Sequence, residues 1–168
     1  MNAIRKDMKK YNMNFVGLIR GFITGSAFYA VFLYRVGNWL YRHHIKFLPD
    51  VTKHICLAHF GCEISPYATL GGVVFHHTPG IIIGYQVVMG ENCEVFQNVT
   101  IGSNRKEKDG RFMPIIGDNV SIGAGAVVVG AITIGNNVKI GANSYVDKDI
   151  PDNVVVAGAP AKIIKKLM

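Results

Sequence analysis

Nowhere in its first 60 residues does the chain carry twenty uncharged residues in succession, which is roughly the length a bilayer-spanning helix needs. The longest uncharged stretch there, "GFITGSAFYAVFLY" at Gly21–Tyr34, stops at fourteen, between Arg20 and Arg35. The following "RVGNWLYRHH" lacks the small residues of a signal-peptide cleavage site. The stretch is therefore expected to be a buried or interfacial helix of a cytoplasmic protein. Cysteine is scarce: Cys56, Cys62 and Cys93 are an odd number without a CxxC pair. This argues against a disulfide scaffold and against a cysteine zinc site, and it suits buried small hydrophobes in a reducing compartment. Charged residues make up only 17% of the chain against 49% hydrophobic, a balance that excludes a disordered polymer. Acidic residues are the rarer sign, 11 against 18 Lys+Arg, leaving +7, which suits an anionic partner. The basic residues carry no recognised nucleic-acid motif, so nucleic acid is not expected.

What is present divides into two regions. Over residues 1–58 glycines are few, aromatics are dense, and Phe28, Val31, Phe32, Arg35 and Trp39 fall at helical spacing. Two to four helices are expected over residues 2–58. A break is expected at "HHIKFLPD", because Pro49 disfavours helix in the residue before it. Over residues 59–168 the period becomes six. Ile116, Ile122, Val128, Ile134, Ile140 and Val146 are evenly spaced, as are Ile64 and Leu70, then Ile83, Met89, Val95 and Ile101. A half-buried strand would give period two and an amphipathic helix 3.6, whereas a sustained hexad is the signature of a parallel β-helix. Three hexads make one triangular coil, and stacked coils bury a column of the aliphatic residues. Small residues between them, such as Ala124, Ala126, Ala142 and Ser144, fit tight corners.

The repeat is interrupted twice. Leu70 to Ile83 is thirteen residues rather than twelve, with the extra residue around His76-His77 in "FHHTPG". Ile101 to Ile116 is fifteen, and the charged "SNRKEKDGRFMP" is expected to protrude as a loop at about residues 103–114. Interruptions that a solenoid tolerates are commonly functional.

The hexads, the loop and the segments "EISPYATLG", "HHTPGIIIG", "VFQNVTIGS", "IGAGAVVVGAITIG" and "VVAGAPAKI" resemble the hexapeptide-repeat acyltransferases. Within that superfamily, residues 62–166 are similar to serine acetyltransferases and to their relatives that acetylate sugars of surface polysaccharides. The resemblance implies a mainly β fold, a left-handed parallel β-helix preceded by a small α-helical segment. It also implies a homotrimer, with pairing of two trimers left open, and active sites between neighbouring prisms. The donor it implies is acetyl-CoA, with no metal. By alignment His77 is the catalytic base and Glu63 its acidic partner, standing where serine acetyltransferases carry aspartate. His76 falls where those enzymes have an aspartate that contacts the acceptor. Ser103, Asn104, Ala124 and Ala142 fall along the channel of the CoA arm. Lys162, with Lys165 and Lys166 beyond it, would meet the phosphates of the nucleotide.

The chemistry suits these residue types. A neutral alcohol is a poor nucleophile toward a thioester, and an imidazole, with an ordinary pKa of about 6.5, is largely unprotonated in a neutral medium. A base so placed contributes roughly 10²–10⁴-fold, and a carboxylate on its other ring nitrogen fixes the tautomer and steadies the imidazolium.

The acceptor is read from the loop. Serine acetyltransferases hold the serine carboxylate with Arg-His-Pro at its end. Here the loop ends "GRFMPI", with Phe112 and Met113 before Pro114, and shifting by one recovers only Arg111. A carboxylate site favours a bidentate guanidinium. The expectation is therefore an O-acetyltransferase acting on a sugar hydroxyl in surface polysaccharide biosynthesis (capsule, exopolysaccharide or O-antigen), with serine as the alternative acceptor. The aromatic, basic helical segment adds an expectation of peripheral contact with the inner face of a membrane. A zinc-dependent carbonic anhydrase on a similar coil would need three histidines, and the repeat supplies only His76 and His77. A non-catalytic spacer is the remaining alternative, and it predicts no effect of His77→Ala.

Overall fold

In each hexad the aliphatic residue points inward, and the short strand around it can pair only with the equivalent strand one coil away. The computed structural model of the protein, which describes residues 2–11 and 27–167, is built on this rule. Fifteen short strands among the described residues form three sheets. The first contains β1 (Glu63–Ile64), β4 (Ile82–Ile83), β7 (Thr100–Gly102), β10 (Val127–Val129) and β13 (Tyr145–Val146). The second contains β2 (Thr69–Leu70), β5 (Val88–Met89), β8 (Ile115–Ile116) and β11 (Thr133–Ile134). The third contains β3 (Val73–Phe75), β6 (Cys93–Val95), β9 (Ser121–Ile122), β12 (Lys139–Ile140), β14 (Val154–Ala157) and β15 (Lys162–Lys166). Every pairing is parallel except β14 with β15. The chain thus winds through the three sheets in turn, as a parallel β-helix of about five coils.

All twelve hexad positions named from the sequence are buried, from Ile64 through Val146. A second inward column, two residues earlier in each hexad, was not anticipated. It comprises Ala68, Ile81, Val87, Cys93, Val99, Val120, Ala126, Ile132, Val138 and Ser144, all buried. Ala126 and Ser144 therefore belong to the interior and not to the corners, while Ala124 and Ala142 do stand at corners, half-buried and exposed. Corners between the second and third sheets carry left-handed asparagines, Asn92, Asn119, Asn137 and Asn153. Their amides bond from coil to coil at 3.3, 3.0 and 2.8 Å. Asparagine tolerates this backbone region better than other residues with a side chain.

Register refines the first interruption. Phe75 is the partner of Val95, so Leu70 to Phe75 takes five steps where Met89 to Val95 takes six. The shortened corner is Gly71-Gly72, where a Cβ on Gly71 would lie 2.6 Å from the Gly90 carbonyl carbon. From Phe75 to Ile83 there are then eight steps, so the histidine corner holds two extra residues, offset by one missing at the glycines. The net count of thirteen concealed both changes.

The described helices are α1 (Asn2–Lys10), α2 (Ala27–Arg42) and α3 (Leu48–Phe60). The last starts around Pro49, tolerated in a first helical turn, and ends on left-handed Gly61 with Glu63 opening the first strand. The proposed helix over the Gly21–Tyr34 run lies partly outside the described residues, and its described part, from Ala27, belongs to α2. No described helix is long and apolar enough to cross a membrane. Trp39, one of the residues at helical spacing, is 53% exposed, its ring tilted against that of His43 at 4.2 Å and 33°.

The helices cover the open end of the coil. The first coil has no neighbour below it, so its backbone groups need partners. Tyr11 Oη accepts from Phe75 N–H at 2.6 Å and donates to its carbonyl at 3.2 Å. Tyr34 Oη accepts from Leu70 N–H and donates to Ala68 O, both at 3.0 Å. Arg35 donates to the Leu70 and Gly71 carbonyls and pairs with buried Asp7 at 2.8 Å. Asn38 Nδ2 donates to Pro66 O and Ala68 O. Between α3 and the coil, the free thiols of Cys56 and Cys62 lie 3.3 Å apart, both buried. Shared hydrogen bonding lowers the pKa of the Cys56 thiol, while the same bond and burial push that of Cys62 up.

Candidate active site

The enlarged corner His76–Gly80 carries the histidines from the third sheet to the first. Its backbone is held on both sides: Gly80 N–H donates to Gly61 O at 2.8 Å, Asn98 N–H to Pro79 O at 2.9 Å, and His76 N–H to Val95 O at 3.1 Å. Thr78 is buried beneath it, while His76 and His77 are both exposed. The His77 side chain makes no hydrogen bond among the described residues, which leaves both ring nitrogens open to other partners. His76 is engaged: its ring stacks on Phe96 at 4.2 Å and 18°, and its Nε2 lies 3.5 Å from Glu94 Oε2.

Glu63 lies beside this corner, its N–H bonded to Ile81 O at 2.8 Å. The backbone thus brings Glu63 and His77 to one edge of the coil. Their side chains are not joined here: the Glu63 carboxylate faces Lys53 of α3 at 3.5 Å.

The same edge continues upward through the coils. Gly125 N–H bonds to Gln97 O and Asn143 N–H to Ala124 O, at 2.9 and 2.8 Å. Ala124 and Ala142 therefore stand in one column with the histidine corner. At its top Tyr145 N–H meets Gly158 O at 2.9 Å, and exposed Lys162 follows as the chain turns into β15. A side-chain acceptor on this edge, Gln97 Oε1, is buried without a partner among the described residues.

Ser103 and Asn104 stand on a different edge, where the loop leaves β7. Their side chains cap the loop's first turn, accepting from Arg105 N–H at 2.8 Å and Lys106 N–H at 3.0 Å. The loop then folds on itself, with Lys108 and Arg111 exchanging backbone bonds at 2.9 and 3.0 Å. It protrudes over a shorter span than 103–114. Met113 and Pro114 are already buried, and the end of the Met113 side chain packs over Gly84. Met113 is thus part of the buried core cluster. Phe112 packs partly against that core, and Arg111 is half-buried with Nη1 lacking a partner among the described residues.

Sequence reasoning missed Lys53, Glu94, Phe96 and Gln97. Glu94 was findable: it is the outward residue of β6, paired with Val74 two positions before His76. Lys53 lay in the helical region, for which the hexad gives no register.

Residues 113–148 match the family described as bacterial transferase hexapeptide (six repeats). Serine acetyltransferase from Synechococcus elongatus is 39% identical over 139 residues, covering 82% of this chain and 57% of the relative. Serine acetyltransferase from Staphylococcus epidermidis is 36% identical over 144 residues, covering 85% of this chain and 67% of that one. The crystal structure of the Brucella abortus serine acetyltransferase in complex with coenzyme A superposes with a TM-score of 0.84 at 29% identity, over 99% of this chain and 68% of the other. The chain thus spans little more than half the length of its cyanobacterial relative. The expected left-handed β-helix is the fold of these structures. The expectation of a polysaccharide sugar as acceptor is overturned, because relatives at 34–39% identity across most of the chain are serine acetyltransferases. The weight placed on Phe112 and Met113 was misplaced, since one of the two is a core residue. The chain belongs to the serine acetyltransferase family of hexapeptide-repeat proteins.

Proposed function

We propose that the chain transfers the acetyl group of acetyl-CoA to the hydroxyl of L-serine. The observation that carries this reading is the single coil edge that gathers an exposed histidine, a nearby carboxylate, a column of alanines and a terminal lysine, in a chain related along most of its length to serine acetyltransferases. His77 takes the proton of the serine hydroxyl as its oxygen attacks the thioester carbonyl. The tetrahedral intermediate then expels the CoA thiolate, which recovers the proton from His77. Glu63, released from Lys53, orients the imidazole. Ala124 and Ala142 present only a methyl group and so let the CoA arm approach the backbone. Four coil steps of about 4.8 Å separate the histidine corner from Lys162, on the order of 19 Å, which suits an extended CoA with its phosphates at the lysine. Ser103, Asn104 and Arg111 would serve from the loop of a neighbouring copy. Exposed Ile82, Tyr85, Val88 and Tyr145 on the prism support burial against sister copies in a homotrimer. In the same reading the protein works in the cytoplasm. Exposed Trp39, Tyr41, Phe47 and Leu48 beside Arg42 and Lys46 support peripheral contact with anionic lipid, which a vesicle flotation assay tests.

Thiol release from acetyl-CoA decides the activity. Serine-dependent turnover is expected, and His77→Ala should lower kcat by roughly 10²–10⁴-fold with the trimer intact. Absence of serine-dependent thiol release by the wild-type protein overturns the proposal.

A further inference from the structure

Two of the three free cysteines meet. Cys56 Sγ of α3 and Cys62 Sγ, just before β1, lie 3.3 Å apart, whereas Cys93 Sγ donates to the carbonyls of Glu91 and Gly117. We propose that Cys56 and Cys62 are a site of oxidative modification, whose reversible disulfide fixes α3 on the first strand and lowers turnover.

Sulfurs at this separation need move only about 1.3 Å to reach the length of a disulfide bond. Between them left-handed Gly61 turns the chain, and Gly61 O accepts from Gly80 N–H at 2.8 Å, which holds Cys62 in place. Leu57, Ala58, His59 and Gly61 are exposed, so the thiols lie just beneath the surface, within reach of an oxidant as small as hydrogen peroxide. The hydrogen bond from Cys62 favours the thiolate of Cys56, the form that reacts. That thiolate attacks one oxygen of the peroxide, giving a sulfenic acid and hydroxide. Cys62 sulfur then attacks the sulfenic sulfur, and its proton leaves with the departing hydroxyl as water. The hydroxide takes up the proton that Cys56 gave to solvent. Two thiols thus lose two electrons, and one peroxide becomes two waters. A dithiol reductant reverses the bond by exchange. In a reducing compartment such a bond is transient, as redox-sensing disulfides are.

Lys53 stands one turn before Cys56 on the same helix face, and Glu63 directly follows Cys62. The disulfide therefore also fastens the junction in which Lys53 and Glu63 pair at 3.5 Å. Its effect on turnover rests on the proposed function, in which Glu63 leaves Lys53 to orient His77. A stapled α3 opposes that release.

The test treats the whole chain with hydrogen peroxide and counts thiols in denaturant. The three thiols should fall to one, the protein should lose the mass of two hydrogen atoms, and alkylation should mark Cys93 as the free one. Serine-dependent kcat should fall at least about fivefold and return with dithiothreitol. Cys56→Ala and Cys62→Ala should each keep the reduced activity and lose the response. Three thiols surviving the treatment overturn the proposal, as does a disulfide that leaves kcat unchanged, or a loss of turnover equal in the alanine variants. A reduced wild-type protein without serine-dependent turnover overturns the functional reading and the effect on it, while the thiol count still decides the disulfide.

Discussion

Twelve apolar side chains, from Ile64 to Val146, fill the coil from equivalent positions, whereas the helices hold the coil through Tyr11, Tyr34, Arg35 and Asn38, which share no spacing. The coil is stabilised by repetition. Each buried isoleucine contributes about 1.5–3 kcal/mol, and each strand finds its ladder partner one coil away. The cap has a different task, to satisfy backbone groups that no further coil satisfies, and each such group takes whichever donor or acceptor reaches it. A repeating core can lose one member and keep its pattern, but a cap built of unlike parts has no spare.

Arg35→Ala probes the cap most severely. It leaves Asp7, 1% exposed, as a buried charge without its partner, and strips the Leu70 and Gly71 carbonyls of their donors. Breaking such a pair costs about 3–5 kcal/mol, to be read by urea unfolding, with hydrogen exchange rising first in α1 and the first coil. The double variant Asp7→Leu/Arg35→Met should regain much of that loss, since removing both charges is far milder than orphaning one. The matching lesion in the coil is Ile122→Ala, expected to cost about 2–5 kcal/mol. Its exchange should rise across neighbouring coils with the helices less affected. Equal exchange profiles in the two variants would erase the distinction between coil and cap.

The same contrast explains what could be read before any coordinates. Hexad phase located the interior from Ile64 to Val146, the loop after Ile101 and the disturbed corner at the histidines, because a period is a property of sequence alone. It could not show that the histidine corner holds two extra residues, since the tight Gly71-Gly72 corner subtracts one. Nor could it place Met113, which sits beside a charged loop in sequence yet is buried against the core. The contacts of Glu63 with Lys53 and of Tyr34 with Ala68 and Leu70 span the two regions, and no spacing encodes such contacts. Most of the fold was therefore legible. Of the candidate site, the sequence could name His76, His77 and Glu63 as candidates, while the contacts these side chains make were not legible.

Tyr34→Phe tests the cap more gently. It leaves Leu70 N–H without its acceptor and Ala68 O with Asn38 as its remaining side-chain donor, at about 1–3 kcal/mol. The phenol also gives the cap a pH dependence. Burial raises the folded pKa of Tyr34, and of Tyr11, above the ordinary tyrosine value. Stability from a raised group is complete below the unfolded value, about 10, and is lost as pH rises through the folded one. In alkaline urea titrations the wild type should lose stability above about pH 10. Tyr34→Phe should lose it less steeply there, despite starting lower. A variant with the wild-type alkaline slope would show that this phenol does not couple the helices to the coil.

The smallest effect belongs to the loop, which has neither repetition nor a buried anchor. Asp149 accepts Thr133 N–H at 2.7 Å on one oxygen and pairs with Lys108 at 3.3 Å on the other. The Thr133 bond, aided by Lys108, lowers its pKa. Whatever it contributes is therefore present above the ordinary carboxylate value, about 3.9, and is lost as pH falls through the lower folded one. The Lys108 pair is exposed, so its worth is below about 1 kcal/mol and is screened by salt. Asp149→Asn keeps an oxygen for Thr133 but removes the charge opposite Lys108. Global stability should hardly change, yet tryptic cleavage after Arg105, Lys106 and Lys108 should quicken at low salt and match wild type at high salt. Cleavage that is equally slow in both proteins at low salt would mean that the loop's own backbone exchange between Lys108 and Arg111 holds it, with the ion pair incidental.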